Sequence, residues 1–257
     1  MSPLLTVENL RVRSGDRLLA SLDSLQVDRG ECAAIVGESG SGKTTTLNAM
    51  LGLTDGLTVS GRIAVGGVDV VGADERALGR IRGSKVALIS QSPQDSLNPT
   101  MRLGTLLRRV LARHGVRGAE ARERTGEALG SVLLDPALLR RYPHQVSGGQ
   151  AQRFAIATAV ALRADVILAD EPTSALDVTV QAAVLGLLTR LREDHGIALV
   201  FVSHDLAVVS GIADQVVVMR DGRVVESGPA AGVLSRPSAA YTRELLDAVP
   251  AIGEGPC

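Results

Sequence analysis

The chain has 257 residues, of which 45% are hydrophobic, and a formal net charge of −1. Near-neutral charge leaves no electrostatic footprint for nucleic acid, and 2% aromatics without tryptophan cannot build base-stacking platforms for single strands. No apolar run approaches the ~18 residues of a membrane span, and the length suits one large domain or a domain with a subdomain.

Met1-Ser2-Pro3-Leu4-Leu5 has no basic segment followed by an apolar stretch, so no signal peptide is expected. Residues 4–12 and 24–27 read as strands, with a turn around Ser14-Gly15-Asp16. Cys32 opens an apolar run, Ala33-Ala34-Ile35-Val36, and reads as a small core residue. The other cysteine, Cys257, is the last residue. Neither has metal-ligand or redox spacing, so a reducing, cytosolic setting is expected.

The run leads into Gly37-Glu38-Ser39-Gly40-Ser41-Gly42-Lys43-Thr44, and Thr45 to Leu51 reads as a helix. Glycine, four residues, then glycine-lysine-threonine is the phosphate-binding loop pattern, here in its required strand–loop–helix context. The glycines let the backbone curl so that several N–H groups face one anion, and the helix adds the positive end of its dipole. Lys43 offers a point charge to the outer phosphates and Thr44 a hydroxyl to Mg²⁺. The chain has only two lysines, Lys43 and Lys85, among 27 basic residues. A compact ammonium fits inside a closed loop where a planar guanidinium does not.

Residues 62–71 read as a strand pair around Gly66-Gly67, which with the first strands suggests an antiparallel layer. Residues 85–90, 165–169 and 198–202 are continuous apolar runs suited to a parallel sheet covered on both faces. Between about 103 and 139 the spacing turns helical, which places a helical insertion between two core strands. Residues 150–162 and 178–193 are further helices. Residues 216–226 form a hairpin about Asp221-Gly222. The tail, 230–257, is partly helical, and the chain holds no internal repeat.

Five further features are candidates for chemistry. The strand at 165–169 ends in Asp170-Glu171. A parallel strand beside the phosphate loop brings that end to the nucleotide. Asp170 is then placed for Mg²⁺ and Glu171 to accept a proton from attacking water. Ser147-Gly148-Gly149-Gln150 precedes a helix and makes a second anion-seeking start, or else a serine N-cap with a glycine turn. His204, after an apolar strand, can contact a γ-phosphate. Gln91 can link Mg²⁺ or water to a moving segment. Ser174-Ala175-Leu176-Asp177 begins a helix, which Asp177 can simply cap.

In this order, these elements resemble the ATP-binding subunit of an ABC transporter over residues 4–250. The resemblance implies an α/β P-loop NTPase (RecA-like) core with a parallel sheet, an antiparallel β subdomain and an inserted helical subdomain over about 92–160, all within one nucleotide-binding domain, 1–257, ending in a short tail, 230–257. It implies ATP and Mg²⁺ as cofactors. The nucleotide-binding set is Gly37, Glu38, Ser39, Gly40, Ser41, Gly42, Lys43, Thr44 and Thr45, with Ser147, Gly148, Gly149, Gln150 and Asp177. The metal set is Thr44, Gln91 and Asp170, and the catalytic set is Glu171, His204 and Gln91. It implies a head-to-tail dimer in which Ser147 and Gly149 of one chain cover the ATP of the other, whether the second ATP-binding subunit is the same chain or a paralogue. The implied partners are integral membrane permease subunits and, indirectly, a solute-binding protein, with no nucleic acid. The implied place is the cytoplasmic face of the membrane, as a peripheral subunit.

Ser96-Leu97-Asn98-Pro99, Tyr142-Pro143-His144-Gln145 and Tyr241-Thr242-Arg243-Glu244-Leu245-Leu246 resemble the importer branch for peptides and nickel. A soluble ABC-type ATPase not coupled to transport is the alternative, but the chain has room for neither long coiled-coil insertions nor a second ATPase domain. Three departures stand out. Ser14 sits where relatives stack adenine on an aromatic, Ala151 follows the signature where the branch often has arginine, and a lone Cys257 cannot form the cysteine cluster found in some relatives' tails.

Overall fold

The computed structural model describes residues 3–174 and 176–248. Cys257, with the rest of the tail from 249, and Ala175 lie outside the described residues.

β1 (Leu5–Ser14) and β2 (Arg17–Val27) form an antiparallel hairpin, turned at Gly15-Asp16 and bulged between Val12 and Arg13. The expected second strand began only at 24, but the ladder starts at Arg17. Ala20, Ser21 and Leu22 are all buried, which breaks the alternation that a strand reading depends on. Buried Ser21 is satisfied by donating to the Gly222 carbonyl at 3.0 Å.

β3 (Cys32–Val36) leads through the phosphate loop into α1 (Lys43–Met50). β4 (Thr58–Val65) and β5 (Val68–Asp69) are the expected strand pair and complete a four-stranded sheet in the order β2-β1-β4-β5. α2 (Glu75–Ile81), absent from the sequence reading, is started by the Asp74 carboxylate, which accepts the Ala77 amide at 2.7 Å.

β6 (Val86–Ile89) is followed by helices α3 (Pro93–Ser96), α4 (Leu103–Arg113), α5 (Gly118–Ser131) and α6 (Gly148–Ala161), then by β7 (Val166–Asp170). The insertion between two core strands is therefore helical, as expected, with 3₁₀ turns at Pro136–Arg140 and Pro143–Gln145. α7 (Val178–His195), β8 (Ala198–Ser203), α8 (Leu206–Ile212), β9 (Gln215–Arg220), β10 (Arg223–Pro229), α9 (Ala230–Ser235) and α10 (Ala240–Asp247) follow. The β9–β10 turn has positive φ at both Asp221 (50°) and Gly222 (74°), the tight two-residue turn that Asp-Gly favours.

The second sheet is six-stranded, in the order β10-β9-β3-β8-β7-β6. β9, β3, β8, β7 and β6 run parallel, with β10 antiparallel at one edge. Every residue of β3 is buried. Ala33 and Ile35 join the core beneath the antiparallel sheet, whereas Cys32, Ala34 and Val36 join the core under the helices. The continuous apolar runs follow from this burial on both faces. Burial also pushes the Cys32 thiol up to about 12, which leaves it a core residue rather than a reactive one.

Candidate nucleotide site

The carboxyl ends of β3, β7 and β8 open onto one cleft of about 670 Å³. Ser39, Gly40, Gly42, Lys43, Thr44, Thr45, Gln91, Asp170, Glu171 and His204 line it, so four segments far apart in sequence converge. Gly37, Glu38 and Ser41 lie in the loop behind this lining.

The phosphate loop is shaped by close backbone approaches at Gly37 and Gly42. Gly37 has φ 146°, and a Cβ there would fall 2.1 Å from the Met219 carbonyl oxygen. Lys43 is 5% exposed, and its Nζ donates to the carbonyls of Gly37 (2.7 Å) and Glu38 (2.8 Å). Burial lowers its pKa, against the pull of Glu171 and Asp170. The ammonium thus braces the loop from inside while its charge faces the cleft. No side chain caps the start of α1, whose N-cap Gly42 is left-handed, so its first-turn N–H groups remain for an anion. The second lysine, Lys85, pairs with Asp165 at 2.9 Å, at the start of β7, away from the cleft.

Thr44 Oγ1 donates to Asp170 Oδ1 at 3.2 Å. Burial raises the Asp170 pKa, with the Thr44 hydrogen bond acting the other way. A hydroxyl and a half-buried carboxylate in contact are the hard oxygen donors that Mg²⁺ takes, so these residues fit that ion.

Glu171 sits at φ 44°, an uncommon conformation for a residue with a side chain, with its amide bonded to the Val202 carbonyl at 3.0 Å. That turn aims the carboxylate into the cleft. Its Oε2 lies 3.3 Å from Gln91 Nε2 and 3.3 Å from His204 Nδ1, and Gln91 also donates to Ser174 Oγ at 3.2 Å. Glu171, Gln91 and His204 therefore meet at one carboxylate oxygen.

Ser147, Gly148, Gly149 and Gln150 do not join this cleft. Ser147 caps α6 by accepting the Gln150 amide (3.3 Å), and the Gln150 side chain accepts the Ser147 amide (3.1 Å). Gly149 is held against α7, where a Cβ would fall 2.5 Å from Val180 Cγ1. Asp177 likewise lies outside the cleft lining and caps α7 by accepting the Val180 amide at 3.0 Å. Ala151 is fully buried.

The sequence reading missed the far wall of the cleft: Arg17, Leu18, Leu19, Asp221 and Gly222. Asp221-Gly222 was legible as a turn. Its contact with the phosphate loop, Gly222 N–H to the Ser41 carbonyl at 3.0 Å, spans most of the chain and left no local signal.

Comparison with known proteins agrees with this geometry. Residues 21–174 match the family model described as ABC transporter. The chain is 44% identical to the peptidoglycan transport ATP-binding protein YejF of Agrobacterium fabrum, over 99% of this chain and 48% of that protein. It is 41% identical to the oligopeptide transport ATP-binding protein OppD of Salmonella typhimurium, over 96% of this chain and 76% of that protein. The chain thus spans about half the length of the first relative and three quarters of the second. Among solved structures, cbiO1 from Clostridium perfringens, part of the ABC transporter complex cbiONQ, superposes with a TM-score of 0.81 at 26% identity, covering 92% of each chain. The dimeric bacterial ABC transporter cassette MJ0796 superposes with a TM-score of 0.76 at 31% identity, covering 88% of this chain and 98% of that one.

Proposed function

The chain belongs to the ABC transporter family as an ATP-binding, ATP-hydrolysing protein, and on that premise we propose that it is the motor subunit of a peptide importer, held at the cytoplasmic face of a membrane by permease subunits. The observation that carries the reading is the convergence of Gln91, Glu171 and His204 on one carboxylate oxygen, beside Lys43 and Thr44. The loop amides and Lys43 would hold the phosphates. Glu171 would orient the attacking water and take its proton, while His204 and Gln91 fix that carboxylate and register the γ-phosphate. Thr44 and Asp170 would hold Mg²⁺, which neutralises charge on the phosphates when bound.

Ser147 and Gly149 stand outside the cleft of their own chain, which supports a site completed by the signature of a second ATP-binding subunit. The MJ0796 cassette, described as dimeric, supports the same arrangement. Gln94, in α3 just past Gln91, donates to the Val146 carbonyl at 2.7 Å, one residue before Ser147. This bond supports a path from the γ-phosphate end of the cleft to both the signature and the segment that would meet the permease. Among the described residues no helix is long and apolar enough to cross a membrane, so the permease would supply the anchorage. The names of YejF and OppD support a peptide or peptide-like cargo.

The test pairs two measurements. Purified Glu171→Gln protein should bind ATP but lose turnover by at least about a hundredfold, as expected for removal of a general base. Cells lacking the chain should lose uptake of labelled short peptides and regain it with the wild type but not with Glu171→Gln. Unchanged turnover would sink the base, and unchanged uptake the cargo.

A further inference from the structure

Beside the phosphate loop, the wall of the cleft built by Arg17, Leu18, Leu19, Asp221 and Gly222 carries no aromatic ring. The chain has two tyrosines, two phenylalanines and no tryptophan, and each is committed elsewhere. Phe154 and Phe201 are buried in the core under the helices. Tyr142 stacks on His144 at 5.7 Å near the start of α6. Tyr241 lies under the Arg220 guanidinium, 4.6 Å from centroid to Cζ. His204, the imidazole that does line the cleft, is engaged with Glu171.

The one residue of this wall with a planar, delocalised side chain is Arg17. Arg17 is exposed at the first residue of β2, directly across the hairpin from Ser14. Directly opposed residues share a face of an antiparallel pair, so the small Ser14 leaves the space beside Arg17 open. The other charge on this wall, Asp221, faces Arg220 at 3.7 Å. A guanidinium plane stacks on aromatic rings by both dispersion and charge.

Accepting that the cleft binds a nucleoside triphosphate, we propose that Arg17 is its nucleobase platform and that the site is therefore tolerant of the base. An exposed cation–π contact changes affinity by only about two- to fivefold. An aromatic side chain stacked on a base changes it by about five- to a hundredfold. Every base presents a π-face to Arg17, and most of the binding energy falls to the phosphate loop, which reads no base.

The experiment is equilibrium binding of Mg-ATP, Mg-GTP, Mg-CTP and base-free ribose 5′-triphosphate to Glu171→Gln protein, alone and combined with Arg17→Lys or Ser14→Tyr. The three nucleotides are expected to bind within about tenfold of one another and a few-fold more tightly than ribose triphosphate. Arg17→Lys keeps the charge but loses the plane, and should erase that excess without changing ribose triphosphate binding. Ser14→Tyr, at an exposed hairpin end, should raise ATP and GTP affinity about fivefold or more over ribose triphosphate. ATP preferred over CTP by a hundredfold or so, or an excess that survives Arg17→Lys, would overturn the proposal (on the scale set by aromatic stacking). Failure to bind even ribose triphosphate would overturn the functional reading with it.

Discussion

The Tyr241 hydroxyl accepts the backbone amide of Glu38 at 3.2 Å, tying α10 to the second residue of the phosphate loop across 203 positions of sequence. The ring is 6% exposed. Removing the hydroxyl leaves a half-buried amide without its partner, at a cost of about 1–3 kcal/mol. Tyr241→Phe should therefore raise the KM for ATP several-fold with kcat nearly unchanged, because the loop that grips the phosphates loosens while the Glu171 cluster stays intact. Steady-state ATPase kinetics decide it. An unchanged KM would reduce the contact to simple packing.

The start of α10 is held by a second clasp. Glu226 accepts from Ser238 N (2.7 Å), Ser238 Oγ (2.7 Å) and Ala239 N (3.1 Å). Desolvation is the largest single influence and would raise the Glu226 pKa, but the hydrogen bonds from Ser238 and Ala239 help to outweigh it and hold the carboxyl at about 2, below its ordinary 4.5. A depressed acid stabilises the fold above its unfolded pKa and loses that contribution as pH falls through the folded value. Glu226→Gln should cost about 1 kcal/mol at neutral pH. Urea unfolding of both proteins should show the difference shrinking from pH 4.5 towards 2. A difference constant across that window would refute the clasp.

Lys43 has two jobs in the structure, bracing the carbonyls of Gly37 and Glu38 and presenting charge to the cleft. Charge-assisted hydrogen bonds contribute about 1.5–3 kcal/mol each, so Lys43→Ala should weaken ATP binding by about tenfold to a hundredfold or more. Titration with a fluorescent ATP analogue measures this directly. Retained affinity would remove Lys43 from the phosphate grip.

Gly149 is expected to fail in a way that can be repaired. In Gly149→Ala the new methyl meets Val180 Cγ1 at 2.5 Å, and a β-branched valine cannot swing aside. Hydrolysis should drop at least about tenfold while ATP binding to the single chain survives. Val180→Ala should restore much of it, a coupling that a double-mutant cycle reads. Independent effects of the two changes would mean that the α6–α7 contact does not set the signature.

The second anion-seeking helix start makes a sharper claim about partnership. Ser147→Arg should leave ATP binding to the monomer intact and abolish the ATP-dependent doubling of mass in Glu171→Gln protein. Light scattering with and without Mg-ATP tests it, and loss of monomer binding would place Ser147 in the cleft of its own chain instead.

The phosphate loop, the Asp170-Glu171 pair and the buried strands were legible because each rests on a local pattern: glycine spacing, acids at a strand end, unbroken apolar runs. Arg17 to Leu22 was not, since Ser21 is buried only because a carbonyl 201 residues away receives its hydroxyl. α2 and α8 were missed because each is a seven-residue helix begun by one aspartate, Asp74 or Asp205. The Tyr241–Glu38 contact and the far wall of the cleft arise from chain segments that meet only in the folded state.

β3 is a party wall. Its alternate side chains serve two hydrophobic compartments at once, Ala33 and Ile35 on one side and Cys32, Ala34 and Val36 on the other. Neither compartment can melt without exposing the neighbour's lining. Calorimetry should therefore record one cooperative transition rather than two, and overpacking at Ala34 should lower the temperature of that whole transition.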